Sequence, residues 1–184
     1  MIIGITGTLG AGKGTVVEYL KTKGFTHYSV RDFLNKEIKK RGLTSNRDTM
    51  LEVANDLRAK NGPGYISEQL AGEALKKGGN VVIESIRSIG EAYHLKEHGG
   101  LLWAVDADVR KRYERISKRM SETDKVSFNE FVADEEEEFE NTDPSKPNLR
   151  VLIGMADEVF QNNGSQKELF KQVEAALAKA KNQL

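Results

Sequence analysis

Two hydrophobic rhythms run along this chain. The segments "MIIGIT" from Met1, "NVVIES" from Asn80 and "GLLWAVDA" from Gly100 are short and apolar, as strands buried on both faces are. "FTHYSV" from Phe25 and the start of "ADEVFQNNGS" read as two further strands, the latter running into a tight turn. Helical spacing fills the gaps. "TVVEYLKTKG" is a helix stopping at Gly24, and residues 31 to 77 are helical in pieces, broken at "KKRGLTSN" and "KNGPGY". A short helix lies around "GEAYHLKEH". The segment "SQKELFKQVEAALAKAKNQL" closes the chain as an amphipathic helix whose Ser165 and Glu168 form a capping box. From Ser121 to Arg150 the pattern is charged and irregular. Strands alternating with helices predict an α/β fold, a five-stranded parallel sheet with helices on both faces.

Composition narrows the possibilities. A chain of 184 residues suits one sizeable core with a small appended lid. Basic and acidic residues balance at 28 each, so no basic field calls for a nucleic-acid partner. Cysteine is absent, which excludes disulfides and thiolate-held zinc and suits a reducing compartment. The sequence predicts no signal peptide, no membrane span and a cytoplasmic location. His27, His94 and His98 are too scattered for a metal centre, and Trp103 in its apolar strand is expected in the core.

One loop changes the picture. "GTLGAGKGT", Gly7 to Thr15, follows the first strand and fits G-x-x-x-x-G-K through Gly7, Gly12 and Lys13. Glycines let successive backbone N–H groups turn around a phosphate, and the helix behind adds the positive end of its dipole. The predicted ATP contacts are therefore Leu9, Gly10, Ala11, Gly12, Lys13, Gly14 and Thr15. Gly14 occupies the place next to the lysine where a magnesium-holding hydroxyl is usual. This G-x-G-K-G-T form resembles adenylate kinase and other nucleoside monophosphate kinases. The resemblance implies a P-loop NTPase fold with a helical monophosphate-binding insertion and a small lid. It also implies ATP and Mg²⁺ as cofactors, the metal held mostly through water and phosphates, with Thr15 touching a phosphate.

A phosphate-bearing acceptor wants arginine, whose planar fork bonds two oxygens at once. "YSVRDFL", with Arg31 and Asp32, is similar to the segment that opens the monophosphate-binding helices of the adenylate kinase family; Asn35 stands where that family has a further arginine. Arg47 opens the next predicted helix, and Tyr65 is expected in the same pocket. Arg87 in "VVIESIRS" resembles the D-G-I-R-S segment of dephospho-CoA-kinase-related proteins, Glu84 and Ser85 replacing its aspartate and glycine. Thr15, Asp32 and Glu84 are the oxygen ligands available to magnesium.

In "DVRKRYERISKRM", Val109, Tyr113, Ile116 and Met120 form one stripe predicted to pack on the sheet, with Arg112, Arg115 and Arg119 on a neighbouring face. By resemblance this helix is the base of a lid, Arg119 matching the family's lid arginine and Arg115 assisting catalysis with Lys13 and Arg87. Arg150 is a candidate to return to the phosphates, whereas the acidic "DEEEE" is expected to face outward. "FQNNGS" is similar to a turn that lies beside the adenine in such kinases, which implicates Asn163 and Gly164. The layout implied is a core of 1–30, 78–118 and 151–184, acceptor helices at 31–77 and a lid at 119–150. Three activities remain open: a nucleoside monophosphate kinase, a kinase of the dephospho-CoA type acting on a ribose hydroxyl with Asp32 as base, and a nucleotide-binding regulator with weak ATPase activity. A monomer or a homodimer is expected.

Overall fold

A computed structural model describes residues 1–119, 126–139 and 146–182. In chain order these form β1 (Ile2–Gly7), α1 (Lys13–Thr22), β2 (Phe25–Ser29), α2 (Val30–Lys40), α3 (Arg47–Asn61), α4 (Tyr65–Lys77), β3 (Asn80–Glu84), α5 (Ile89–Glu97), β4 (Leu101–Asp106), α6 (Val109–Arg119), α7 (Phe128–Phe139), α8 (Leu149–Met155), β5 (Glu158–Gln161) and α9 (Gln166–Lys181). The five strands are parallel, in the order β2-β3-β1-β4-β5. The first strand is therefore central, paired with β3 on one side and β4 on the other.

Strand side chains alternate between faces, so the sheet feeds two cores. Ile3 and Ile5 of β1 join Val16, Val17 and Leu20 of α1 with Leu169, Val173 and Leu177 of α9. Trp103 is fully buried there, edge-on to Phe160 at 5.3 Å. Ile2 points the other way, into a core with Leu34, Ile38, Leu57, Ile66, Leu70 and Leu152 from α2, α3, α4 and α8. All strands run the same way, so the loops that leave their carboxyl ends gather along one edge of the sheet. In parallel α/β sheets that edge is where ligands bind.

The stretch read as irregular contains α7 and α8 among its described residues. Ser127 and Glu130 cap α7 reciprocally, at 3.3 Å for the Glu130 amide and 2.7 Å for the Ser127 amide. The expectation for the acidic run is corrected at one residue: Glu135 turns inward to pair with Arg112, because α7 lies against α6. The apolar stripe of α6 is corrected too. Tyr113 meets Phe128 and Phe131 of α7 and donates to the Val126 carbonyl at 3.0 Å, so a helix lies where the sheet was expected. Met120 lies outside the described residues. No described helix is long and apolar enough to cross a membrane.

Candidate active site

The loop between β1 and α1 is held by its carbonyls. Lys13 Nζ donates to the carbonyls of Gly7 and Thr8, both at 2.8 Å. The Leu9 carbonyl accepts from Arg112 at 3.4 Å, and those of Gly10 and Ala11 stand 3.5 Å from Arg115. Asn162 Nδ2 donates to the Ala11 carbonyl at 2.7 Å, and the Gly12 carbonyl receives the amides of Thr15 and Val16. The oxygens of Gly7 to Gly12 are thus all engaged, and those of Leu9 to Ala11 are turned toward α6 and the turn after β5. Gly12 caps α1 with no side-chain hydrogen bond, so the positive end of the helix dipole is offered at the loop without a competing side chain. Gly10 and Gly12 have φ of 79° and 101°. A Cβ there would lie 2.6 Å from the Arg112 carbonyl or 2.4 Å from Asn162 Nδ2, so only glycine fits this left-handed backbone.

The groups behind the loop come from the end of β4, from α6 and from the turn after β5. Asp106 Oδ1 accepts from Thr8 Oγ1 and from the Ala107 amide, both at 2.8 Å. Arg112 is buried, donating to the Ala107 carbonyl at 2.7 Å and forking onto Glu135. Arg115 donates to the Asn162 carbonyl at 2.7 Å, while Arg119 is exposed at the end of α6. Asn163 Oδ1 instead receives the Asp108 amide at 2.7 Å, and Gly164 packs against Glu168. The turn after β5 thus reaches the loop through Asn162, a residue the sequence did not single out.

Across the central strand, Glu84 ends β3. Its carboxylate stands 3.1 Å from His27 Nε2, an ion-pair distance without an aligned hydrogen bond. His27 holds the Glu84 carboxyl below its usual range; burial opposes this, and the Lys13 and Arg31 charges add to it. The charges of Lys13 at the start of α1 and Arg31 at the start of α2 thus act on one carboxylate at the end of β3. Asp32 is exposed in the first turn of α2, its amide capped by Ser29 at 3.1 Å. Ser85 has φ 71°, the one described non-glycine residue in the left-handed region. Such strain concentrates at functional turns.

Arg87 follows, half-buried, its amide bonded to Glu91 Oε2 at 2.9 Å and its carbonyl receiving the Asn148 amide at 3.2 Å. Tyr65 starts α4 and packs against the core beside these helices. Arg47 starts α3, and its side chain lies outside what the structure describes. Arg150 is exposed, 6.0 Å from the Phe139 ring.

Comparison with known proteins fits this geometry. A family described as "AAA domain" matches residues 3–143. The UPF0200 protein TK1334 of Thermococcus kodakarensis is 32% identical over 178 residues, covering 91% of each chain. The chain belongs to the UPF0200 family. A second UPF0200 protein, MmarC6_1392 of Methanococcus maripaludis, is 30% identical over 98% of each chain. Among solved structures, TT1252 from Thermus thermophilus superposes with a TM-score of 0.64 at 22% identity over 97% of each chain. A dephospho-CoA kinase from Campylobacter jejuni reaches 0.59 at 14% identity, over 100% of this chain and 98% of that one. A shikimate kinase from Bacteroides thetaiotaomicron reaches 0.58 at 12% identity over 98% of both. The P-loop NTPase fold expected from Gly7–Thr15 is thereby borne out, and the solved structures that share it include kinases.

Within this UPF0200 chain, sequence reasoning missed Arg58, Glu91, His27, Asp106 and Asn162. Only Glu91 carried a local signal, since "SIGE" is a capping box, and the box is present with Ser88. A groove of about 610 Å³ also opens between α1 and α9, lined by Gly14, Thr15, Tyr19 and Phe170 among others. It adjoins the loop at Gly14 and Thr15.

Proposed function

We propose that the protein is an ATP-dependent phosphotransferase whose acceptor is a nucleoside monophosphate. The observation that carries the reading is the loop. The carbonyls of Leu9, Gly10 and Ala11 are turned toward Arg112, Arg115 and Asn162, its helix N-terminus lacks a side-chain cap, and Lys13 folds back over the carbonyls of Gly7 and Thr8. That arrangement suits a triphosphate tail. The acceptor side supports transfer rather than hydrolysis alone: Arg31 at the start of α2 and Arg87 after β3 supply cations across the central strand from the loop. A nucleotide-operated switch has little use for them.

Phosphoryl transfer depends on positioning and on positive charge around the moving group. Lys13, Arg87 and Arg119 are the groups assigned to that charge, with Arg31, Asp32, Arg47, Tyr65 and Glu84 on the acceptor; Arg115, expected to assist catalysis, is turned instead to the carbonyls behind the loop. Residues 31–77 form the acceptor helices and 119–150 the lid on a core of 1–30, 78–118 and 151–184. The oxygens of Thr15, Asp32 and Glu84 fit magnesium, which prefers a few hard oxygen ligands beside phosphates and water. Among the described residues no cluster of three metal-ligating side chains exists, so the ion is assigned to the nucleotide rather than to a protein cage. When bound, it neutralises phosphate charge. The protein is assigned to the cytoplasm, as a monomer or homodimer acting on small nucleotides.

A second reading, transfer to a hydroxyl as in the dephospho-CoA kinase that shares the fold, is favoured by one observation: His27 at 3.1 Å, with the Lys13 and Arg31 charges adding, holds the Glu84 carboxyl below its usual range and so ionised at the end of β3. An alcohol acceptor needs a base, which a phosphate does not. ATP with each (deoxy)nucleoside monophosphate and with dephospho-CoA, followed by ADP release and product, separates the readings. A monophosphate turned to a diphosphate supports the first. Product from dephospho-CoA alone supports the second. ATP binding without transfer to any member of the panel overturns both.

A further inference from the structure

Among the described residues, Glu91 is the acidic side chain wholly removed from water. It is the fourth member of a capping box on α5, yet a capping box does not require burial. The same box at Ser165 and Glu168 on α9 sits exposed, and so does that at Ser127 and Glu130 on α7. Burying a carboxylate carries a desolvation cost that a cap alone does not explain. What distinguishes Glu91 is its two further sets of contacts. Oε1 receives Arg58 of α3 through Nε at 3.1 Å and a terminal nitrogen at 2.8 Å, and Arg58 is itself buried. Oε2 receives the amides of Arg87 at 2.9 Å and Ser88 at 3.2 Å.

The turn so gripped is held elsewhere too. The Ile86 amide bonds to the Ile5 carbonyl of β1 at 3.0 Å, and Asn148 holds the Arg87 carbonyl. Ser88 Oγ donates at 3.0 Å to the Pro63 carbonyl in the α3–α4 connection. Both polar groups of the Arg87 backbone are thus bonded, the amide to the Glu91 side chain and the carbonyl to the distant Asn148, beside the strained Ser85. A turn in a disfavoured conformation persists only where its surroundings over-determine it.

We infer that Arg58 and Glu91 are positioning residues. The buried pair sets the Arg87 main chain and locks it to α3, so Arg87 is delivered at a fixed place relative to the acceptor helices. The inference deepens the phosphotransferase reading and rests on it. Glu91→Ala removes both acceptors. Glu91→Gln alone is pulled two ways, since its one oxygen serves either Arg58 or the turn. Glu91→Gln combined with Arg58→Met frees that oxygen for the turn and leaves no unpaired buried cation.

Two measurements on the full chain test this. Amide hydrogen exchange at Arg87 and Ser88, which needs no activity, should accelerate at least about tenfold in Glu91→Ala and return toward wild type in the double variant. In steady-state kinetics, Glu91→Ala should raise the acceptor KM about tenfold or more, with the double variant recovering most of it and ATP affinity by calorimetry unchanged. A purely structural role would lower the folded fraction, hence the apparent kcat, and leave KM alone. Unchanged exchange at Arg87 and Ser88 in folded Glu91→Ala overturns the positioning role, as does an unchanged acceptor KM. A wild type that binds ATP and transfers to no acceptor overturns the parent reading and the acceptor part of this one, whatever exchange shows.

Discussion

At the scale of single residues, Lys13 and Asn162 act on one loop from opposite sides. Lys13→Ala removes the ammonium from the mouth, and kcat for transfer should fall about a hundredfold to a thousandfold, read by ADP release. Asn162→Ala leaves the Ala11 carbonyl with only the distant Arg115 contact. It should cost about 1–3 kcal/mol in urea unfolding. Glu84 gives the pH test. Its folded-state value lies below the ordinary 4.5, so its contribution to stability is complete above the unfolded value and fades as pH falls through the folded one. The stability gap between wild type and Glu84→Gln should therefore be widest near neutrality and close on acidification below about pH 4.5. A gap that stays constant in acid removes the His27–Glu84 pairing.

At the scale of elements, the contact between α6 and α7 turns on Arg112. This buried guanidinium touches the Leu9 carbonyl, the Ala107 carbonyl and the Glu135 carboxylate, and so couples α7 to the phosphate loop. Glu135→Ala strands a buried cation and should destabilise the chain by about 3–5 kcal/mol. Arg112→Met with Glu135→Leu should recover much of that, because two apolar side chains need no partner. Denaturant midpoints at constant slope check both. The element-level signals in the sequence were uneven. Gly24 ends α1 and Ser165 starts α9 as read, whereas α7 hides its Phe128 and Phe131 among acidic neighbours. The Ser127–Glu130 cap was its readable sign.

At the scale of the whole molecule, the loop continues the central β1 and is backed from β4, α6 and β5 on one side, while the turn proposed for the acceptor follows β3 on the other. Arg87→Ala should accordingly raise the acceptor KM about tenfold or more while ATP affinity by calorimetry stays within about twofold. A change in both would mean the two sides are not separable. Arg31 and Glu84 came from the sequence through local motif likeness; that Lys13 and Arg31 both act on Glu84 is a property of the assembled sheet.

The sequence by itself determined the alternation of strands and helices, the phosphate loop and the arginines after strand ends. Each of these rests on neighbours a few residues apart, where glycine freedom, helical period and capping act. Tertiary structure alone decided the strand order, the turn of Glu135 toward Arg112, the pairing of His27 with Glu84 and the burial of Glu91 on Arg58. Those contacts join residues from 23 to 57 positions apart. A charged side chain reads the same in sequence whether it meets water or a buried partner, and only packing removes the water.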